Sequence, residues 1–173
     1  SNIMKFNTHI KNILDLGSNS GILPLYMLHS GAKSVTAVEL LDTNISLIEC
    51  YKTVFEKIQN KEFKLNIHKS DMMDIINFDP SKYDLVTAFC SLYYLTENDL
   101  IILMKWVFKN IGIIIVEANN DSSVDIRDEK AKLSYLRKVA EEIGFIIIKE
   151  VRPKNYYRPI FIACTPEKIK SLN

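Results

Sequence analysis

The sequence predicts an α/β protein whose core is a doubly wound, mainly parallel sheet. Short apolar runs alternate five times with segments in which apolar residues recur at helical spacing. The fifth run, residues 111–117, is nearly all apolar, as expected for a central strand with both faces covered. The last two runs, residues 145–151 and 160–165, are joined by a link without a helical pattern, which predicts antiparallel neighbours. Right-handed crossovers between the first five strands would place helices on both faces of the sheet.

Composition and charge exclude several classes of protein. The 173 residues are 47% hydrophobic and 25% charged, which is ordinary for a globular chain and predicts a single domain over residues 1–173. The net charge of +1 gives no overall attraction to nucleic acid or to a membrane surface. No apolar run is long enough to span a bilayer, and no signal peptide is visible. Cys50, Cys90 and Cys164 are scattered without a CxxC pair, so the sequence predicts a cytoplasmic protein with reduced thiols and no metal site.

The first strand and the turn after it carry the strongest functional signal. Residues 13–16 form an apolar run that breaks at Gly17, and a helix is predicted to begin near Ile22. A turn of small residues lets a ligand approach the backbone, and the start of the helix offers unpaired N–H groups. A second strand, residues 34–39, ends in Glu39, at a point where an acid usually binds the two hydroxyls of a ribose. The alternative is a strand-to-helix turn that binds no ligand.

The spacing of glycines in this turn distinguishes between nucleotides. The dinucleotide fingerprint requires glycine at its first, third and sixth positions, but the third and sixth here are Asn19 and Ile22, so a nicotinamide or flavin dinucleotide is not expected. Asp15, Gly17 and Gly21 instead match the pattern acid-x-Gly-x-Gly-x-Gly. Asn19 takes the place of the middle glycine, and asparagine tolerates left-handed backbone angles better than most residues. This stretch resembles motif I of class I S-adenosylmethionine-dependent methyltransferases.

The resemblance covers nearly the whole chain and implies both a fold and an activity. It implies a three-layer, Rossmann-like fold of seven strands in the order 3-2-1-4-5-7-6, with strand 7 antiparallel. It also implies a methyltransferase whose cofactor is S-adenosyl-L-methionine. Many members of the family carry a helical segment before the first strand, and only residues 1–11 precede it here. We therefore expect a minimal N-terminal cap, or a chain cut from a longer protein in which a missing segment or a partner completes the pocket.

The resemblance also implies which residues bind the cofactor. The turn from Gly17 to Gly21 would face the methionine part, and Glu39 would bind the ribose. Asp71, just after the third strand, would receive the adenine amino group, with Met72 along the adenine face. The alternative for Asp71 is a turn or helix-capping role. The expected cofactor contacts are Asp15, Gly17, Ser18, Asn19, Gly21, Glu39, Leu40, Asp71, Met72, Phe89 and Cys90.

In this family the segment after the fourth strand, here residues 89–94, usually borders the transferred methyl group. It lacks the Asn-Pro-Pro-Tyr motif of enzymes that methylate amide or base nitrogens, and the chain lacks the paired-glutamate loop of protein arginine methyltransferases. Tyr93 and Tyr94 would stack on an acceptor or hydrogen-bond to it; the alternative is packing under the next helix. Cys90 is expected to be a buried small side chain rather than a nucleophile. The sequence does not identify the catalytic residues.

A small-molecule acceptor is favoured, because the overall charge is balanced and no motif for a base or amide nitrogen is present. Strand ends line the ligand crevice of such folds, so Glu117, Asn119 and Asn120 are candidates for acceptor contacts or else loop residues without a role. RNA is the alternative acceptor, because a cluster of aromatic and cationic residues near the C-terminus would suit single-stranded nucleic acid, although a solvated turn explains it equally. The residues of that cluster are Arg152, Lys154, Tyr156, Tyr157 and Arg158. A further alternative is a catalytically silent methyltransferase fold that serves as a binding module.

Overall fold

The computed structural model describes residues 10–121, 129–152 and 158–172. Its strands are β1 (Asn12–Leu16), β2 (Ser34–Glu39), β3 (Leu65–Lys69), β4 (Leu85–Phe89), β5 (Ile113–Glu117), β6 (Ile146–Val151) and β7 (Ile160–Cys164). Its α-helices are α1 (Ile22–His29), α2 (Asp42–Gln59), α3 (Glu97–Asn110), α4 (Leu133–Ile143) and α5 (Pro166–Leu172). The strands form one sheet in the order β3-β2-β1-β4-β5-β7-β6, and β7 is antiparallel to both of its neighbours. The predicted α/β fold and strand order are confirmed.

The chain divides into two compact units, Ser1–Leu85 and Val86–Asn173. The first holds β1 to β3 with α1 and α2, and the second holds most of β4 and all later elements. The single domain over residues 1–173 stays a prediction. In the described parts of the two units, no helix is both long enough and apolar enough to cross a membrane. Nor do those parts contain a group of three or more His, Cys, Asp or Glu side chains placed to hold a metal ion.

In the first unit, β2 lies between β1 and β3, and all three strands run parallel. The register pairs Leu16 with Val38 and Glu39 with Lys69, so the three strands end at the same edge. Several side chains of β1 and β2 are fully buried, as expected for parallel strands covered on both faces; they are Leu14, Leu16, Val35, Ala37 and Val38. The turn after β1 and the acid at the end of β2 are therefore held side by side.

Asp84 anchors the start of β1. Its Oδ2 accepts hydrogen bonds from the backbone N–H groups of Lys11 at 3.0 Å and Asn12 at 2.8 Å, and from the Asn12 side-chain amide at 3.3 Å. In return the backbone N–H of Asp84 donates to the carbonyl oxygen of Asn12 at 2.9 Å. One carboxylate thus satisfies donors at the beginning of a strand, where backbone groups otherwise depend on solvent. The start of β1, the strand that leads into the turn, is therefore held in place.

The start of α1 packs against α2 because residue 21 is glycine. Gly21 precedes α1 with a φ of 77°. A Cβ placed on it would lie 2.8 Å from Cγ1 and 2.9 Å from Cγ2 of Ile48, which is fully buried on α2. Interiors are packed too closely to absorb such an overlap without movement, so any side chain at residue 21 would displace one helix from the other.

The second unit is built on β5, whose residues are all buried. Antiparallel β7 covers one side of β5, and β4 pairs in parallel with the other, so that Phe89 faces Glu117 at the ends of β4 and β5. α3 follows a Thr96 cap whose Oγ1 accepts from the N–H of Asp99 at 3.2 Å, as the capping-box spacing predicts. The ends of β4 and β5 thus bring together side chains that are far apart in the sequence.

Replacing Gly21 with alanine is expected to lower the free energy of unfolding more than replacing Gly31. Both glycines have positive φ, 77° and 113°, so alanine is strained at either position. Only the first adds a clash with Ile48, whereas nothing lies within 4 Å of a Cβ at Gly31. In urea unfolding we expect Gly21→Ala to cost a further ~1–3 kcal/mol. Equal losses from the two variants would contradict the packing of α1 on α2.

Candidate cofactor site

The turn between β1 and α1 folds back on the end of β2. The N–H groups of Gly17 and Ser18 both donate to the carbonyl oxygen of Val38, at 2.9 Å and 3.1 Å. The N–H of Gly21 then donates to the carbonyl of Ser18 at 2.9 Å, which closes the turn. Gly17, Asn19 and Gly21 have positive φ of 69°, 50° and 77°. The left-handed conformation predicted for Asn19 is confirmed, so asparagine takes the place of the middle glycine within an intact turn.

Asp15, near the end of β1, and Ser18, in the turn that follows, are both buried. Asp15 is 2% exposed and Ser18 is 7% exposed. Ser18 Oγ donates to the carbonyl oxygen of Asp15 at 3.1 Å, which links the last residues of β1 to the turn. The Ser18 side chain therefore holds the turn to β1, and contact of Asp15 or Ser18 with a cofactor stays a prediction.

The Glu39 carboxylate connects this turn to the end of β2. It is 7% exposed, and three backbone N–H groups donate to it. Oε2 accepts from Asn19 at 2.8 Å. Oε1 accepts from Leu40 at 2.9 Å and from Leu41 at 3.0 Å. A buried carboxylate satisfied in this way is held in one orientation, with Oε2 the less occupied of its two oxygens.

The surroundings of the turn fit the cofactor that the resemblance implies. Ile22 is 63% exposed and Leu40 is 55% exposed, so apolar surface lies beside the turn. Gly21 makes no side-chain capping bond, and the first turn of α1 carries no acid. The start of this helix therefore keeps its partial positive charge for an anionic group. An anionic group and an apolar ring would each meet complementary surface here, and their contact with these residues stays a prediction.

Asp71 caps a short 3-10 turn, Met72–Asn77, just after β3. Its Oδ1 accepts from the N–H of Met73 at 2.8 Å, and its own N–H donates to Oδ2 of Asp74 at 3.2 Å. This is the capping role that the sequence leaves open as the alternative. Asp71 is exposed and Met72 is half-buried. Contact of either residue with adenine stays a prediction.

In the second unit, Cys90 belongs to a polar cluster at the end of β4. Its thiol donates to Oε2 of Glu117 at 3.3 Å and accepts from Nη1 of Arg158. Burial and the nearby Glu117 carboxylate raise the pKa of the Cys90 thiol to about 12, although Arg158 acts in the opposite direction. The expectation of a plain buried hydrophobic side chain is therefore wrong, since Cys90 is half-buried among charged partners. Contact of Phe89 or Cys90 with the cofactor stays a prediction.

Tyr94 is 75% exposed. The alternative that it packs under the next helix, α3, is therefore wrong for this residue. The Tyr93 and Tyr94 rings lie 4.6 Å apart between centroids. Burial and a hydrogen bond with Tyr94 raise the pKa of Tyr93 to about 12. Ser91 was not singled out by the sequence, but it is 3% exposed and its Oγ finds no hydrogen-bond partner in the described part of the chain. A buried hydroxyl in this state marks a place for a water molecule or a ligand.

The C-terminal aromatic and cationic cluster is only partly within the described residues. Arg152 pairs with Glu150, and Arg158 donates to Cys90, so both cations have partners in the protein. Lys154, Tyr156 and Tyr157 lie outside the described residues. Asn119, after β5, uses its backbone to hold the segment before α4: its N–H donates to the carbonyl of Ala131 at 2.8 Å, and its own carbonyl accepts from the N–H of Leu133 at 3.0 Å. A role for the Asn119 and Asn120 side chains toward an acceptor stays a prediction.

Iodoacetamide at pH 8 is expected to label Cys50 much faster than Cys90 or Cys164 in the native protein. Cys50 is exposed, whereas the pKa is raised to about 12 for Cys90 and, through burial, to about 11 for Cys164. Only the thiolate reacts, and a raised pKa keeps the thiol protonated up to higher pH. Peptide mass spectrometry after brief labelling measures the order, with urea-unfolded protein as the control in which all three react. Prompt labelling of native Cys90 would contradict a protonated thiol.

Comparisons with known proteins identify the family. A family model described as a methyltransferase domain matches residues 14–116, more than half of the chain. No curated protein sequence matches. Magnesium protoporphyrin IX methyltransferase (ChlM) from Synechocystis PCC 6803, solved with bound SAM, is similar with a TM-score of 0.67 at 16% identity, over 88% of this chain and 69% of that chain. The glycopeptide N-methyltransferase MtfA, solved with S-adenosylmethionine, is similar with a TM-score of 0.70 at 13% identity, over 92% and 89% of the two chains.

A third similar structure is named for a different activity. The 4+2 cyclase SpnF has a TM-score of 0.70 at 13% identity, over 90% of this chain and 74% of that chain. At such identities a shared structure establishes the fold alone, so the family model carries the assignment of activity. The matched residues contain the turn after β1, Glu39, Asp71 and Cys90. The chain belongs to the methyltransferase-domain family and is a class I S-adenosylmethionine-dependent methyltransferase.

Proposed function

We propose that the first unit binds S-adenosylmethionine at the turn after β1 and the end of β2, and that the methyl acceptor is a small molecule. The observation that carries the cofactor site is the Glu39 carboxylate. Its Oε1 already accepts two N–H groups, while Oε2 accepts only that of Asn19. Because a carboxylate oxygen accepts about two hydrogen bonds, Oε2 has room for one more donor, and a ribose hydroxyl is such a donor.

The remaining proposed contacts surround this carboxylate. The turn from Gly17 to Gly21 and the uncapped start of α1 take the anionic methionine end. Leu40 and Met72 offer apolar surface to the base. Asp71 accepts from the adenine amino group through the oxygen that does not cap its own turn. These roles follow the family pattern residue by residue.

Methyl transfer requires the protein mainly to position the acceptor beside the cofactor. When bound, the cofactor supplies a methyl group on a sulfonium centre, which the acceptor's nucleophile displaces in line. This chain has to hold the acceptor and, where the nucleophile is protonated, to remove its proton. Glu117 is the proposed proton acceptor, because it is a carboxylate at a strand end, 8% exposed, with Oε2 already in a hydrogen bond. Ser91 Oγ and the Tyr93 hydroxyl are the proposed polar contacts to the acceptor.

A compact acceptor agrees with the character of this cluster. It combines a buried acid and a buried hydroxyl with the half-buried aromatic side chains of Phe89 and Tyr93. RNA binding needs phosphate contacts from cations, and the two described cations of the C-terminal aromatic and cationic cluster, Arg152 and Arg158, already engage Glu150 and Cys90. Two of the similar solved structures are named as methyltransferases of a porphyrin and of a glycopeptide. These considerations favour a small-molecule acceptor.

The alternative of a catalytically silent binding module is not favoured, because the matched family model describes a methyltransferase domain and the cyclase SpnF, which shares the fold, is itself named for a catalytic activity. The two candidates make different demands on the second unit. An enzyme needs an acceptor site with a proton acceptor, whereas a silent module needs only the cofactor turn. The buried Glu117 and the Ser91 hydroxyl, which has no hydrogen-bond partner among the described residues, favour the enzyme, since burying polar groups costs stability.

S-adenosylhomocysteine is expected to bind the intact protein in titration calorimetry, and Glu39→Gln is expected to weaken binding about 10- to 100-fold. Glutamine keeps the size of the side chain but loses the charge and one accepting oxygen, which costs ~1.5–3 kcal/mol. The matched control is Glu49→Gln, an exposed glutamate of α2. No binding by the intact protein would refute the cofactor site, and an unchanged affinity of Glu39→Gln would remove Glu39 from it.

Labelled S-adenosylmethionine incubated with cell extract is expected to transfer its label to a component of low molecular mass. Glu117→Gln is expected to reduce transfer by about 100-fold or more while leaving S-adenosylhomocysteine affinity intact, because only proton removal is lost. The control is Glu142→Gln, an exposed glutamate of α4. Label in RNA or protein would overturn the small-molecule assignment. Full transfer by Glu117→Gln would exclude this residue as the proton acceptor.

A further inference from the structure

Three segments of the second unit meet where β4 and β5 end. These strands run parallel, and the N–H of Cys90 donates to the carbonyl oxygen of Glu117 at 3.4 Å, so the two residues lie side by side. Arg158, shortly before β7, is brought to the same place, because the N–H of Ala118 donates to the carbonyl oxygen of Pro159 at 3.0 Å. Backbone hydrogen bonds therefore fix the relative positions of three polar side chains that are distant in the sequence.

The Cys90 thiol stands between the other two side chains. Its S–H donates to Oε2 of Glu117 at 3.3 Å, and its sulfur accepts from Nη1 of Arg158. Burial and the Glu117 carboxylate raise the pKa of this thiol to about 12, so it stays protonated at neutral pH. A protonated thiol has one hydrogen to donate, and here that hydrogen goes to the carboxylate. The three groups form a chain of hydrogen bonds that ends on one oxygen of Glu117.

The backbone of Cys90 is held in a conformation that a cysteine disfavours. Its φ is 53°, and the other non-glycine residues with positive φ in the described part of the chain are Asn19 and Asn60. Asparagine tolerates this region and cysteine does not share that preference. Strained residues of this kind persist where the surrounding structure requires them, and they concentrate at functional sites. Glycine would form the turn without strain, but it has no group to bridge Arg158 and Glu117.

The hydrogen bond from the thiol leaves one oxygen of Glu117 for the reaction. Among the described residues, this is the hydrogen bond that the carboxylate accepts, and it uses Oε2. The next residue, Ser91, has a buried Oγ without a hydrogen-bond partner in the same part of the chain, which marks a place for a ligand group. We propose that Cys90, held by Arg158, is a positioning residue that fixes Oε2 of Glu117 and keeps Oε1 available for the proton of the acceptor.

This inference rests on the proposed role of Glu117 as the proton acceptor. A glutamate side chain has several rotatable bonds, and a hydrogen bond to a group fixed on the neighbouring strand removes part of that freedom before the acceptor binds. The proton then passes from the nucleophile to Oε1 as the nucleophile forms its bond to the methyl group. The electrons of the broken methyl–sulfur bond stay on the sulfur of the departing S-adenosylhomocysteine, and Glu117 releases the proton to water.

Transfer of label from saturating S-adenosylmethionine to the low-mass fraction of cell extract tests this role. Cys90→Gly removes the bridge and relieves the strained φ, and we expect it to lower the rate by about 10- to 100-fold. Cys90→Ser keeps a group that both accepts and donates, so it is expected to retain most of the rate. A purely backbone role predicts the opposite order, because glycine suits a positive φ better than serine. The control is Cys50→Ala, which removes an exposed thiol of α2.

Glu117→Gln, measured in the same assay, separates this inference from the proposed function. Loss of transfer in Glu117→Gln and Cys90→Gly, with transfer retained by Cys90→Ser, supports both. Loss in Glu117→Gln with full transfer by Cys90→Gly overturns the positioning role and leaves the proposed function standing. Equal loss in Cys90→Gly and Cys90→Ser, with both variants folded by circular dichroism, also overturns the positioning role. Full transfer by Glu117→Gln, or none by the unchanged protein, overturns both.

The chain of hydrogen bonds can be tested without an acceptor, through iodoacetamide labelling of Cys90 at alkaline pH. Beyond the effect of burial, the Glu117 carboxylate raises the pKa of the thiol and Arg158 lowers it. Glu117→Gln is therefore expected to speed labelling several-fold, and Arg158→Gln is expected to slow it, as read by peptide mass spectrometry. Loosened packing would speed labelling in both variants. Faster labelling in both, or no change in either, would overturn the arrangement.

Discussion

The Glu39 carboxylate is the group on which the arrangement of the first unit depends. Its oxygens accept from the backbone N–H groups of Asn19, Leu40 and Leu41. A carboxylate this buried would cost several kcal/mol without such partners, so the turn after β1 has to stay against the end of β2. The parallel register makes this possible, since Leu16 and Val38 end their strands side by side. The same constraint that satisfies the acid therefore builds a rigid backbone cradle next to it.

Features dictated by local backbone physics could be predicted from the sequence. The turn after β1 needs residues that tolerate positive φ, and the presence of Gly17, Asn19 and Gly21 in the sequence indicates such a turn. The Thr96 cap and the all-apolar β5 follow from equally local rules. The strand order itself came from the resemblance, because alternation of strands and helices fixes the class of fold but leaves several orders open.

The parts that escaped prediction depend on residues far apart in the chain or on weak local signals. Cys90 forms hydrogen bonds with Glu117, 27 residues later, and with Arg158, 68 residues later. The residues next to Cys90 in the sequence therefore gave no sign of its polar surroundings. Helix α5 was missed although Thr165 and a following proline are a helix-start signal. Its seven residues are too few to show a period. The role of Asp71 could not be predicted for a different reason, because an aspartate at this position suits a helix cap and a ligand contact equally.

Helix α2 shows that the spacing of apolar residues predicts a helix more readily than it predicts which of those residues are buried. Its apolar residues recur at helical spacing, but they occupy a wider arc than one buried face requires. Ile48 is the one fully buried residue of α2, whereas Leu47, Tyr51, Val54 and Ile58 are 42%, 39%, 48% and 71% exposed. Periodicity therefore predicts that the segment is a helix, but the packing of α2 on β3 and α1 decides which of its apolar residues are buried.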